Sequence, residues 1–101
     1  MGFDVVLYNH DRQKIEIFEL SESLHNSIFS TNVLWKSYLE LRKLSDYYLT
    51  DEVFSGGKLR ELISNLNQYQ SNVPSHEQNN YQEFISKISH SKVSLIHIAG
   101  D

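Results

Sequence analysis

Residues Val33–Thr50, VLWKSYLELRKLSDYYLT, set the expectation for the fold. Read at helical pitch, Leu34, Tyr38, Leu41, Tyr48 and Leu49 fall on one face, with the small Ser45 between turns. Trp35 and Leu39 widen that stripe. Lys36, Ser37, Glu40 and Lys43 take the far side, where Lys36–Glu40 and Glu40–Lys43 have ion-pair spacing. The stretch predicts an amphipathic helix ending near Tyr48 or Leu49, and so wide an aromatic face requires cover from the rest of the chain.

Working outward, Phe3–Tyr8 (FDVVLY) carries β-branched and aromatic residues on both faces, which predicts an interior strand buried on both sides. Asn9–Gln13 is a polar turn, and Lys14–Phe18 (KIEIF) alternates, with Ile15 and Ile17 inward and Lys14 and Glu16 outward, as a strand nearer the edge. Ser21 caps a short helix from Glu22 to Phe29 with the stripe Leu20, Leu24 and Ile28. Beyond the central stretch, Thr50-Asp51-Glu52 reads as a single turn or a capped loop. Gly56-Gly57 then separates it from a helix over Lys58–Tyr69, where Leu59, Leu62, Ile63, Leu66 and Tyr69 recur at helical spacing. Gln70–Pro74 is a solvated loop. Ser75 and Gln78 have capping-box spacing and open a helix to about Ser89 with the stripe Tyr81, Phe84, Ile85 and Ile88. Lys92–Ala99 (KVSLIHIA) closes as a strand, with Val93, Leu95 and His97 on one face and Ser94, Ile96 and Ile98 on the other. The expected architecture is one α+β domain over residues 1–101. An N-terminal β-hairpin, four helices and a C-terminal strand form it, the strands making a three-stranded sheet in the order 2-1-3.

The chain has 101 residues and is 40% hydrophobic, enough for one modest core. Thirteen acidic against nine basic residues give a net charge of -4, which disfavours nucleic acid as a partner and suits a basic protein surface. The absence of cysteine excludes disulfide and thiol chemistry. The opening MGFDVVLYNHD lacks the basic and apolar regions of a signal peptide, and no stretch approaches a membrane span, so a cytoplasmic location is expected. Met1-Gly2 begins like a myristoylation site, but Val6 stands where serine or threonine is needed.

Five histidines (His10, His25, His76, His90 and His97) form no HExxH or HxH pair, and neither a metal nor a cofactor is expected. His97 is the most interesting, and a satisfied, partly buried histidine is the favoured reading. Gly56-Gly57-Lys58 precedes a helix but lacks GxxxxGK[ST], and no GxSxG elbow is present, so catalytic residues are not assigned. The segment Asp46–Glu52 stands out instead. Asp46, Asp51 and Glu52 flank Tyr47, which the helical reading leaves outside the core stripe that takes Tyr48. A tyrosine among carboxylates has the composition of a protein-binding hot spot; its alternative is a solvated helix end. Glu16, Glu19 and Glu22 form a second acidic group beside the edge strand. They read first as a charged edge that discourages pairing, with Glu16 and Glu19 also candidate partner contacts.

The chain as a whole, through MGFDVVLY (residues 1–8), LWKSYLELRKLSDYYLTDEVFSGGKLRELI (residues 34–63) and VSLIHIAGD (residues 93–101), resembles small bacterial immunity proteins of contact-dependent growth-inhibition and related polymorphic toxin systems. The resemblance implies a cytoplasmic, non-enzymatic inhibitor of a cognate toxin domain, often a nuclease, whose phosphate-binding site carboxylates can occupy. Two other readings stand beside it: a small enzyme or ligand-binding domain using His97, and a regulatory or assembly subunit using the same acidic-aromatic patch.

Overall fold

The computed structural model describes residues 3–100. Met1, Gly2 and Asp101 lie outside them, and with them the reading of a Met-Gly start. Strand β1 (Phe3–Tyr8) and strand β2 (Lys14–Leu20) form the expected hairpin. Its turn is tied by Asn9, whose Oδ1 accepts from the backbone N–H of Asp11 at 2.9 Å and of Gln13 at 3.0 Å. A bulge between Leu7 and Tyr8 skips Ile15 in the pairing with β2. Helix α1 spans Glu22–Phe29, with the Ser21 hydroxyl accepting from the N–H of Leu24, as its sequence predicts.

The stretch Val33–Thr50 is not a helix. It holds two short 3₁₀ turns, Leu34–Ser37 and Leu41–Leu44, separated at Tyr38 by extended backbone (φ -102, ψ 108). Side-chain oxygens capture the N–H groups that an α-helix would use internally. Asp46 Oδ1 accepts from Tyr48 and Leu49, and the buried Asn65 of the next helix from Glu40 and Leu41. The apolar stripe is redistributed accordingly. Leu41 and Leu44 are buried, whereas Leu34, Leu39, Tyr48 and Leu49 face solvent.

The chain then enters a strand, β3 (Asp51–Ser55), where a turn or capped loop was expected. Gly56, at φ 51°, turns it directly into α2 (Gly56–Tyr69). Helix α3 spans Gln78–Ile88 and follows a 3₁₀ turn at Ser75–Glu77. The capping box does not form. Gln78 instead donates to the carbonyls of Gln70 and Val73, closing the loop that holds Pro74. Strand β4 (Leu95–Ala99) starts three residues later than expected, and Ser94 before it bonds the backbone of Tyr8 and Asn9.

The α+β class stands, but the sheet has four antiparallel strands in the order β2-β1-β4-β3, and three α-helices rather than four accompany it among the described residues. The first strand is interior and the last lies beside it, as expected; β3 adds an outer edge. Phe3, Val5, Leu7, Phe54, Ile96 and Ile98 project from one side of the sheet into a single core with Leu24, Ile28, Leu41, Leu62, Leu66, Tyr69, Tyr81, Phe84 and Ile88. The two buried tyrosine hydroxyls are satisfied, Tyr69 by the Ile28 carbonyl at 2.9 Å and Tyr81 by the Leu66 carbonyl at 2.5 Å. All three helices contribute to this one core, so among the described residues no helix covers the opposite side of the sheet.

Candidate interaction surface

Strand pairing puts the uncovered side of the sheet into three rows that cross the strands. The middle row is Ile17, Val6, His97 and Val53. One row towards the hairpin turn lie Lys14, Tyr8, Leu95 and Ser55, and one row the other way lie Glu19, Asp4, Ala99 and Asp51. Ile17 is 56% and Val53 51% exposed, so the apolar middle row reaches solvent at both edges of the sheet. A shallow hollow on this face is lined by Tyr8, Arg12, Val53, Leu95 and His97. Arg12 reaches it from the hairpin turn, where its backbone takes the left-handed conformation at φ 60°. The face thus has an apolar centre, one acidic end and one basic end.

The apolar residues on both faces of β1 predict burial on both sides. The structure covers only the Phe3, Val5 and Leu7 side and leaves Val6 and Tyr8 partly open to water. His97 lies on this open face rather than in an interior. Its Nε2 is 2.6 Å from Asp51 Oδ1, a hydrogen bond between neighbouring strands with both side chains in contact with solvent.

The expected patch around Asp46–Glu52 is rearranged. Tyr47 is packed against the core: its ring stacks on Phe3, with centroids 5.7 Å apart, and meets His25 edge-on at 5.1 Å. The exposed residues of this segment are Tyr48, at 60%, and Leu49, at 81%. Asp51 and Glu52 lie on opposite sides of the sheet. Asp51 pairs with Ala99 on the open face, and Glu52 pairs with the buried Ile98 on the helix side. Glu16 and Glu19 divide in the same way: Glu16 bonds Lys87 of α3 at 3.2 Å, while Glu19 joins the open face. The structure therefore groups Glu19 and Asp51 with Asp4, and it separates Glu16 and Glu52 from them. Asp4 gives no signal in the sequence because it stands alone among apolar residues of β1. Its membership of an acidic row follows only from the strand register.

Elsewhere two buried titratable groups, His25 and Glu77, are satisfied, whereas the buried Gln82 Nε2 has no hydrogen-bond partner among the described residues. The buried His25 donates from Nε2 to the Leu44 carbonyl at 2.7 Å and is enclosed by Phe3, Phe29 and Tyr47. Desolvation lowers its pKa below the usual imidazole value, the Leu44 hydrogen bond opposing in part. The buried Glu77 carboxylate accepts from Asn80 and from the Ser23 hydroxyl, which hold its pKa below the usual glutamate value. Among the described residues no group of three histidine or acidic side chains is placed to hold a metal ion. No helix of the described chain is long and apolar enough to cross a membrane. Comparison of the chain with protein-family models, curated proteins and solved structures finds no match.

Proposed function

We propose that this protein is a bacterial immunity protein: a cytoplasmic, stoichiometric inhibitor that binds the toxic domain of a polymorphic toxin without turnover. The observation that carries this reading is the turn that leads into β3. Tyr48 and Leu49 project from it largely into water, and Asp46 uses one carboxylate oxygen to fix the backbone of both. A rigid apolar pair held at the rim of the sheet, with Asp46, Asp51 and Glu52 around it, suits a basic partner. Aromatic anchors supply affinity, and the surrounding charge supplies encounter rate and register. A toxin that cleaves nucleic acid presents such a basic surface. The role given to Tyr47 in the sequence passes to Tyr48 and Leu49, because Tyr47 is spent on the core.

The test is co-expression with the C-terminal domain encoded by the neighbouring toxin gene, followed by co-purification and a growth-protection assay. A one-to-one complex is expected. Tyr48→Ala with Leu49→Ala should raise the dissociation rate, each by about tenfold or more if they are hot spots. Lysine at positions 51 and 52 should slow association at low salt and matter less at high salt. Absence of any complex with the unmodified protein would sink the reading.

A further inference from the structure

The open face of the sheet carries opposite charge at its two ends, which makes it complementary to itself, and we propose that a second copy of this chain covers it. The argument starts from the three rows. The acidic row holds Glu19, Asp4 and Asp51, and Asp51 is already engaged by His97. That leaves Glu19 and Asp4 as free acidic partners at one end. At the other end stand Lys14, in register with Tyr8, and Arg12, which lines the hollow beside Tyr8. Two free carboxylates thus lie one row to one side of the apolar centre, and two cations lie to the other side.

Two copies stacked face to face can be related by a two-fold axis in the plane between them. If that axis ran along the strands, each acidic end would meet the other acidic end. If it runs along the rows, across the strands, the middle row Ile17, Val6, His97 and Val53 meets its own copy, and every acidic end meets a basic one. Charge selects the second arrangement. Because the operation leaves each strand opposite its own copy, it pairs Lys14 with Glu19 of the other subunit, and Tyr8 with Asp4. The Tyr8 hydroxyl then has a carboxylate to donate to, and Ile17 and Val53 leave water.

The area sets the strength. Four strands at about 4.8 Å spacing and about five residues long at about 3.4 Å per residue make a face roughly 19 by 17 Å, about 320 Å², well under the approximately 800 Å² per partner of a standard interface. The dimer is accordingly weak, forming at micromolar concentration and above, and of the residues proposed for the toxin contact its face includes Asp51 but not Tyr48 or Leu49.

Sedimentation velocity from low micromolar to near-millimolar concentration tests this directly. The protein as it stands should pass from monomer to dimer. Lys14→Glu and Glu19→Lys, each of which opposes like charges across the axis, should weaken association about tenfold. The two together restore opposite charges in swapped positions and should return dimerisation to near its original strength. Amide chemical-shift changes on dilution should cluster at Val6, Tyr8, Ile17, Val53 and His97, and this readout holds even if a variant folds poorly. A protein that stays monomeric at the highest concentration overturns the proposal. So does a double variant no better than the single ones, or shifts that cluster on the helices.

Discussion

Tyr47 and Phe3 stack with their ring planes 14° apart, joining the turn before β3 to the first residue of β1 described. This contact, together with the edge-on approach to His25, makes Tyr47 a structural residue. Truncation to alanine removes an aromatic ring from a half-buried site, and the expected loss is about 2–3 kcal/mol in urea melts. Tyr48→Ala, by contrast, should leave the melt almost unchanged, since its side chain is mostly in water. The reverse result would mean that the two rings have exchanged places.

Asn65 carries a prediction for the irregular stretch. Its Oδ1 accepts from the backbone of Glu40 at 3.1 Å and of Leu41 at 3.3 Å, and its amide donates to Glu61. These bonds replace the helical ones that residues 40 and 41 do not make. Asn65→Leu keeps the volume but strands the N–H groups, one of them buried, at an expected cost of about 1–3 kcal/mol. Hydrogen exchange at Glu40 and Leu41 should accelerate more than exchange in α3.

These two sites show what was legible in the sequence. The hairpin, α1 with its Ser21 cap, and the buried faces of α2 and α3 follow from period and capping. In the three helices an apolar stripe of the right spacing coincides with a real core contact; in β2 the alternation misleads, since Ile15 and Ile17, expected inward, are exposed, and Phe18 and Leu20 face the core instead. The stretch 33–50 has the stripe but also Asp46 and the distant Asn65, whose side chains compete for its N–H groups; the latter is invisible to local reading. β3 was missed because it buries only Phe54 and opens with Asp51 and Glu52, residues seldom found in strands. The open face needed both facts, since its rows exist only once β3 is paired with β4.

Gly100 explains how that pairing is finished. Its N–H donates to the Thr50 carbonyl at 2.6 Å, and a Cβ there would lie 2.8 Å from the carbonyl carbon of Tyr48. Backbone cannot step aside as a side chain does. Gly100→Ala should therefore destabilise by roughly 1–3 kcal/mol. It should also loosen the 46–50 turn, seen as faster exchange at Thr50, while the β1–β2 hairpin remains protected.

His25 gives stability a definite pH dependence. Its folded pKa lies below its unfolded one because burial disfavours the imidazolium. The unfolded chain then binds more protons once pH falls towards about 6.5, so this contribution is complete above that value and is lost on acidification. Glu77, also lowered, adds a second loss at more acid pH, below the ordinary glutamate range. Urea melts should show stability falling between pH 7.5 and 5.5. His25→Gln, which can still donate to Leu44, should flatten that window. An unchanged slope in the variant would transfer the effect to another group.

His97 separates the binding reading from the enzymatic one. Its hydrogen bond to Asp51 resembles the pairing of a catalytic base with its orienting carboxylate, and it borders a hollow with Tyr8 and Arg12. Geometry alone does not make that pair a catalyst, since the same contact serves as a cross-strand link between β4 and β3. An inhibitor that acts by occupancy needs its surface and not a proton transfer. His97→Gln retains a donor for Asp51 and removes the base. The expected outcome is a folded variant that protects cells from the toxin as the unmodified protein does and binds the toxin domain within about threefold of it. Circular dichroism and surface plasmon resonance beside the growth assay make the comparison. A variant that folds and binds yet gives no protection would show that chemistry at His97, and not binding, carries the activity.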